Sequence, residues 1–145
     1  MRMLLSMALV LAACDAGGSV IYANVTAASV RVSAAQPSAL ADLRVSARFD
    51  VLPGHSDEIS LHGGWLDGDS GAFVAPLALV LPTGTPIKLD SANSSAESDL
   101  VNDSVTNAAF TGLCDLQLNL GLTVSGVTNT TRSTSLGFPV RIDCL

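Results

Sequence analysis

The chain has 145 residues and a formal net charge of −6, and 48% of its residues are hydrophobic while only 14% are charged. Its length suits one domain with a substantial hydrophobic core. The arginines are dispersed and Lys88 is the only lysine, so the chain lacks the basic patch that binding to nucleic acid or adsorption to anionic lipid requires.

The N-terminal segment has the pattern of a secretory signal. Arg2 gives a positive start, and the apolar run from Leu4 to Ala13 is far shorter than the about 20 residues that a membrane-spanning helix needs. The run ends in Leu11-Ala12-Ala13-Cys14, which resembles the lipobox of bacterial lipoproteins. The alternatives are a plain secretory signal that is cleaved later, after Ala23, and a segment that is not cleaved.

The resemblance implies that residues 1–13 are removed and that Cys14 becomes the lipid-carrying first residue. Residues 14–19 would then form a tether, and residues 20–145 a single domain. We expect this domain in the cell envelope, facing the periplasm or the cell surface. Its contact with the membrane would come through the lipid on Cys14.

The first half of the domain predicts three strands. Val20 to Ser33 is rich in β-branched residues and changes phase at Ala27–Ser29, which indicates a bulge or two consecutive strands. Ala41 to Leu52 alternates strictly between apolar and polar residues, as a half-buried antiparallel strand does. Glu58 to Gly64 is a shorter strand whose inward phase continues to Trp65. We therefore expect Trp65 in the core and not on a sugar-stacking surface.

The middle of the domain has weaker patterns. Phe73 to Leu81 is predicted to be an apolar strand, and Pro76 within it is expected at a bulge or a sheet edge. Ser91 to Ser98 has no periodicity and is predicted to be the longest loop. Ile87–Leu89 and Val105–Phe110 are predicted to be short strands.

The C-terminal residues predict a hairpin that a disulfide closes. Two alternating apolar runs, 116–124 and 136–142, fold antiparallel about Asn129 so that apolar partners face one another. The same register places Cys114 opposite Cys144, at a separation that a disulfide can bridge, and an exported protein meets an oxidising compartment. The predicted pairs are Leu116–Ile142, Leu118–Val140, Leu120–Phe138 and Leu122–Leu136.

Strands of this length, separated by turns rich in Pro, Gly and Asn, are typical of all-β proteins. We predict an antiparallel β-sandwich of about seven to nine strands, with an immunoglobulin-like or jelly-roll-like topology. A closed barrel is the structural alternative.

The sequence contains no clear catalytic or metal-binding pattern. Gly68-Asp69-Ser70-Gly71 resembles part of the nucleophile motif of trypsin-like serine proteases, but Ala72 stands where that family continues with glycine. Asp67 and Asp69 begin like a calcium loop, which lacks its later carboxylate ligands. The chain's two histidines are too few for a zinc site. An acidic stretch is interpreted as a solvated loop, and its members are Asp90, Glu97, Asp99 and Asp103.

Together these features favour a non-enzymatic, lipid-anchored envelope protein without a cofactor. Its domain would be an interaction or structural module, with an envelope protein or a glycan as partner. The alternative is an adhesin-like or carbohydrate-binding sandwich, assisted by calcium through Asp67 and Asp69. A more remote alternative is a small hydrolase that uses Ser70.

Overall fold

The computed structural model describes residues 18–68, 74–77, 79–81 and 86–145. In these ranges the regular secondary structure is β-strand apart from one short 3₁₀ helix, which confirms the all-β prediction. The strands are β1 (Ile21–Val32), β2 (Asp42–Val51), β3 (Asp57–Asp67), β4 (Val74–Leu77), β5 (Leu79–Val80), β6 (Lys88–Leu89), β7 (Ser95–Asn102), β8 (Gln117–Gly126), β9 (Ser133–Thr134) and β10 (Phe138–Cys144). Seven of the described strands have four residues or more, in agreement with the predicted number. No helix in the described ranges is long and apolar enough to cross a bilayer.

The strands form one mixed sheet that curls into a half-barrel around a single core. The order along the sheet is β4-β3-β8-β10-β1-β2-β7-β5, with β6 beside β3 and β9 beside β8. The expectation of a purely antiparallel arrangement is wrong at one place, because the end of β1 runs parallel to the end of β10, with Val30 opposite Ile142. Two antiparallel pairs, β1–β2 and β8–β10, lie side by side there, and their adjoining strands point the same way.

β4 and β5 lie at opposite edges of the described sheet, although only one residue separates them in the chain. β4 pairs with β3, whereas β5 pairs with β7. The predicted single strand over Phe73–Leu81 is therefore two strands, and the chain crosses between the two edges from Leu77 to Leu79. Pro76 lies in β4 at a sheet edge, as predicted, where a missing N–H group costs least.

β1 and β2 follow the sequence pattern closely. The five alternating apolar residues of β2 between Leu43 and Val51 are all buried. The predicted phase change in β1 is a bulge between Val25 and Ala27, where the pairing with β2 shifts by one residue. This shift allows both Val25 and Val30 to reach the core.

The prediction of a long loop over Ser91–Ser98 is wrong for its second half. β7 begins at Ser95 and pairs antiparallel with β2 along most of its length. From Ser95 to Leu100 the less exposed positions alternate as Ala96, Ser98 and Leu100, and of these only Leu100 has a large apolar side chain. The alternation is therefore present in the structure but not visible as a hydrophobic pattern.

The predicted strand over Val105–Phe110 is instead a turn that ends in a short 3₁₀ helix. Asn107 is buried, its Nδ2 donates to Gln36 O (2.8 Å) and its Oδ1 accepts from Ser33 N (3.2 Å). Phe110 is fully buried. Side-chain bonds of this kind compete with extended pairing, so the backbone turns here and fixes the loop that follows β1.

The register of the C-terminal hairpin is confirmed along the β8–β10 pair, for example at Leu120 and Phe138. The predicted pair of Leu122 with Leu136 is wrong, because Leu136 lies in a bulge between β9 and β10 and is 87% exposed. Ser135 takes its place. The N–H of Ser135 donates to Leu122 O (2.8 Å), and its Oγ accepts from Leu122 N (2.9 Å).

Candidate functional site

Trp65 points outward because of a bulge in β3. Gly63 has a φ of 119°, which glycine adopts readily, and the pairing of β3 with β8 shifts between Leu61 and Gly63. Such a shift exchanges the two faces of a strand, so Leu66 is fully buried while Trp65 is only half-buried on the outer face. The prediction of Trp65 in the core is wrong. The Gly63-Gly64 pair is the sequence signal for the bulge that causes this.

The indole of Trp65 lies against the backbone of β8. Trp65 is opposite Gly121, and a Cβ atom at Gly121 would overlap Nε1, Cε2 and Cζ2 of the ring. A Cβ atom at Gly137 would lie 3.2 Å from Cη2 of the same ring. The absence of side chains at Gly121 and Gly137 therefore leaves the space that the indole occupies and favours one orientation of the ring. Part of the ring remains in contact with solvent.

Polar side chains surround Trp65 on the outer face of β3 and β8, which we call the Trp65 face. On one side of the ring, Asp67 pairs with Asn119. On the other side lies Thr123, whose Oγ1 is 3.4 Å from Oγ1 of Thr134 in β9. A carboxylate, an amide and two hydroxyl groups thus supply hydrogen-bond donors and acceptors around one aromatic ring.

His62 lies in the β3 bulge beside the Trp65 face. Its Nε2 shares a hydrogen bond of 2.5 Å with Oγ of Ser125, which is 1% exposed. Ser125 in turn donates to Gly126 O (3.3 Å). Within the described part of the chain, His, Cys, Asp and Glu side chains do not gather in the groups of three that would hold a metal ion. His62 is therefore interpreted as part of a polar surface, where it forms a hydrogen bond with Ser125.

Several residues singled out in the sequence lie outside the described ranges, namely Cys14, Asp69 and Ser70. Asp67, the other calcium candidate, is described and lies at the end of β3 beside Asn119. The lipid, calcium and hydrolase hypotheses accordingly stay predictions.

Cys114 and Cys144 form the predicted disulfide, with their Cα atoms 5.6 Å apart. Cys144 ends β10 and lies beside Val32 of β1 in the parallel pair. The bridge therefore connects the start of the hairpin to the place where the two antiparallel pairs of the sheet meet. Cys114 is exposed to solvent.

Asp57 begins β3 and holds the loop that follows β8. Its carboxylate accepts hydrogen bonds from the backbone N–H groups of Glu58 (2.8 Å), Thr128 (2.9 Å) and Asn129 (2.7 Å). A Cβ atom at Gly126 would overlap this carboxylate, so the approach requires glycine there. Desolvation raises the pKa of Asp57, but the backbone hydrogen bonds together lower it by more, and its pKa lies below the ordinary value.

The same loop also holds the beginning of the described chain. Asn129 Nδ2 donates to Gly18 O (2.9 Å), and Ser19 Oγ donates to Thr131 O (3.0 Å). Ser19 is 1% exposed. Hydrogen bonds therefore fix Gly18 and Ser19, the last two residues of the predicted tether, to the domain.

The acidic stretch is a turn and a strand face, not the solvated loop that was predicted. Asp90 Oδ1 accepts hydrogen bonds from two backbone N–H groups of the turn that follows it (2.9 and 2.8 Å). Asp99 Oδ1 accepts from Ser46 Oγ (2.7 Å), and Glu97 lies opposite Arg48 in the pairing of β7 with β2. These contacts are typical of an outward polar face of a sheet.

A shallow groove lies on that other outer face, formed by β1, β2 and β7. Its charged side chains bind one another: Arg44 Nε donates to Asp42 Oδ1 (2.9 Å). Nearby, Arg48 Nε donates to Ser95 Oγ (2.9 Å). The groove residues include no aromatic ring, whereas the Trp65 face presents a half-buried indole among polar side chains. The Trp65 face is therefore the stronger candidate for a binding surface.

No protein-family model and no curated protein matches this chain. Among solved structures, the chain is similar to part of a family 123 glycoside hydrolase from Clostridium perfringens, whose structure was analysed for glycolipid glycan hydrolysis. The TM-score is 0.45 and the sequence identity 8%, and the match covers 88% of this chain and 28% of that chain. A likeness at this level carries no argument about the function of this chain.

Proposed function

We propose that this chain is an exported, lipid-anchored module of a bacterial cell envelope that binds a partner and has no catalytic role. The disulfide is the observation that carries the proposal. A disulfide such as Cys114–Cys144 persists in oxidising compartments and is rare in the cytosol. It also uses two of the three cysteines, so Cys14 in the lipobox-like stretch is available for lipid.

The geometry of the domain supports an anchor at Cys14. Gly18 lies beside the loop that follows β8, at the end of the sheet where β1 and β3 begin. The disulfide lies at the end where β1 and β10 finish. Four residues span at most about 14 Å, so a lipid on Cys14 would hold the first of these ends close to the membrane and leave the disulfide end facing away.

Membrane fractionation tests the proposal. We expect the chain in the membrane fraction, where high salt does not release it and detergent does, because a lipid anchor is apolar and not electrostatic. Cys14→Ser should move the chain to the soluble fraction or leave its signal uncleaved. A matched control, Cys114→Ser with Cys144→Ser, should stay in the membrane. The lipid anchor would be contradicted if the parent chain were recovered in the soluble fraction. It would also be contradicted if a Cys14→Ser variant whose signal has been cleaved stayed in the membrane fraction.

A further inference from the structure

The chain has one tryptophan, and the fold places it outside the core. Trp65 is on the opposite face of β3 from Leu66, and the buried cluster of the domain does not include it among the described residues. A large aromatic ring that is left partly in solvent forgoes part of the burial energy that it could contribute to folding. Trp65 covers the backbone at Gly121 and keeps part of its ring in contact with solvent, where a ligand could reach it.

The structure assigns to the Trp65 face the binding of a neutral carbohydrate chain, with Trp65 as the stacking surface. This inference rests on the proposed binding module and names its ligand. A sugar ring presents polarised C–H groups on one face, and these complement the negative face of an aromatic ring. Its hydroxyl groups point outward around the ring and both donate and accept hydrogen bonds.

The orientation of the indole is fixed before any ligand arrives. Gly121 and Gly137 leave space for the ring, and a side chain at Gly121 would displace it. An aromatic ring that is already held in one orientation loses little conformational entropy on binding, so its ordering lowers the affinity only slightly.

Polar groups lie at the distances that a sugar ring requires. Asp67 with Asn119, and Gly63 with Thr123, are each two residues along the strands from the pair of Trp65 with Gly121. Since a strand rises about 3.3 Å per residue, these polar groups lie about 6–7 Å along the strands from the ring on either side. A pyranose stacked on the indole would present hydroxyl groups toward both sides.

The charge of the face selects a neutral ligand. Asp67 places a carboxylate beside Trp65, and the whole chain carries a net charge of −6. Arg141 lies further along the same outer face, and its Nη2 donates to Asp115 Oδ1 (3.3 Å). An anionic sugar would meet repulsion without a dedicated cation, whereas a carboxylate accepts hydrogen bonds well from neutral hydroxyl groups.

The experiment uses the full chain, purified in an amine-oxide detergent that contains no sugar. The probes are cellohexaose, xylohexaose, mannohexaose and laminarihexaose, with oligogalacturonate as the charged counterpart. Because Trp65 is the only tryptophan, intrinsic tryptophan fluorescence reports on this face alone. We expect a saturable change in emission with at least one neutral probe and none with oligogalacturonate.

Three variants locate the site. Trp65→Ala should weaken binding in calorimetry by about tenfold or more, and Trp65→Phe should retain part of it. Thr134→Val, which removes one exposed hydroxyl group and keeps the shape of the side chain, should weaken binding severalfold and guards against misfolding of Trp65→Ala. Thr26→Ala is the matched control, because Thr26 lies in the β1 bulge away from this face, and it should bind like the parent chain.

The inference is overturned if none of the neutral probes binds, if only oligogalacturonate binds, or if Trp65→Ala and Thr134→Val bind as tightly as the parent chain. None of these results bears on membrane fractionation. Failure of the carbohydrate site and failure of the lipid anchor can therefore be told apart.

Discussion

Asp57 connects three parts of the chain that are distant in sequence. Its carboxylate binds the N–H groups of Thr128 and Asn129, which are 71 and 72 residues away. Asn129 then holds Gly18 through its side-chain amide. A single ionised residue thus fixes both the loop after β8 and the point where the N-terminal segment joins the domain.

The first prediction replaces this carboxylate with an amide. Asp57→Asn keeps the shape of the side chain but turns one acceptor oxygen into an NH₂ donor that faces other donors. We expect the free energy of unfolding at pH 7 to fall by about 2–3 kcal/mol, since hydrogen bonds to charged groups contribute more than neutral ones. Urea denaturation of the parent and variant chains measures the difference.

The same pair of chains should differ in their response to acid. Because the pKa of Asp57 in the folded chain lies below its ordinary value, this stabilisation is present above the unfolded pKa of about 3.9 and is lost as the pH falls through the folded pKa. The difference in free energy of unfolding between the parent chain and Asp57→Asn should therefore become smaller below about pH 4. If that difference in free energy of unfolding stays constant from pH 6 to pH 2, the ionised carboxylate of Asp57 does not stabilise the fold in this way.

Asp143→Asn is a matched control for Asp57→Asn. Asp143 is exposed and lies 3.7 Å from Arg31. Exposed ion pairs contribute about 0–1 kcal/mol. The free energy of unfolding of Asp143→Asn should therefore differ from that of the parent chain by no more than this amount.

At the scale of elements, the C-terminal hairpin combines a regular ladder, a bulge and a disulfide. β8 pairs with β10 in the register that the sequence predicts, and the bridge closes the ends of this pair. The bulge at Leu136 allows β9 to pair with β8 beyond the end of β10. Each of these features can be tested separately.

The second prediction concerns the bridge. Cys114 and Cys144 are 30 residues apart, and closing a loop of that length stabilises a folded chain by about 3–4 kcal/mol in the chain-entropy model. Reductant should lower the denaturation midpoint of the parent chain to that of the variant with Cys114→Ser and Cys144→Ser. Reductant should not change the double variant, and a parent chain that is insensitive to reductant would refute the role of the bridge.

The third prediction concerns the bulge. Leu136→Ser should change the free energy of unfolding by less than about 0.5 kcal/mol, because Leu136 is 87% exposed. Leu122→Ala should cost about 2–5 kcal/mol, because Leu122 is fully buried. Comparable losses for the two variants would indicate that Leu136 faces Leu122 in the core, as the simple hairpin pattern implies.

At the scale of the whole molecule, the sequence predicts best where the alternation is local and uninterrupted. β2 and the β8–β10 pair follow the apolar and polar pattern residue by residue. The position of Cys114 opposite Cys144 followed from the same register. In such segments the side-chain period of a strand is the only information needed.

Prediction fails where one residue is inserted into a strand or where inward side chains are small. The bulge at Gly63 reverses the face of every residue after it in β3, so uninterrupted alternation wrongly predicts Trp65 in the core. The bulge at Leu136 places that residue outside the core and shifts the pairing of β9 with β8, whereas β10 keeps the predicted faces. The sequence does not predict the first half of β7, because Ala96 and Ser98 occupy less exposed positions without being strongly hydrophobic.

The remaining features depend on contacts between distant segments. The parallel pairing of β1 with β10 and the crossing from Leu77 to Leu79 follow from how the sheet curls, and no local pattern specifies them. The candidate site has the same origin. Trp65 and its glycine neighbours come from β3, β8 and the segment before β10, and only the fold brings them together.

Intact mass spectrometry of the chain extracted from its native membrane tests the central claim most directly. We predict a mass that corresponds to a chain that begins at Cys14 and carries a diacylglycerol group. This mass should be lower by two hydrogens because of the Cys114–Cys144 bridge, and reduction should restore the two hydrogens. A chain that begins after Ala23, or one that retains Met1 to Ala13, with no lipid in either case, would contradict the account of a lipid-anchored envelope module.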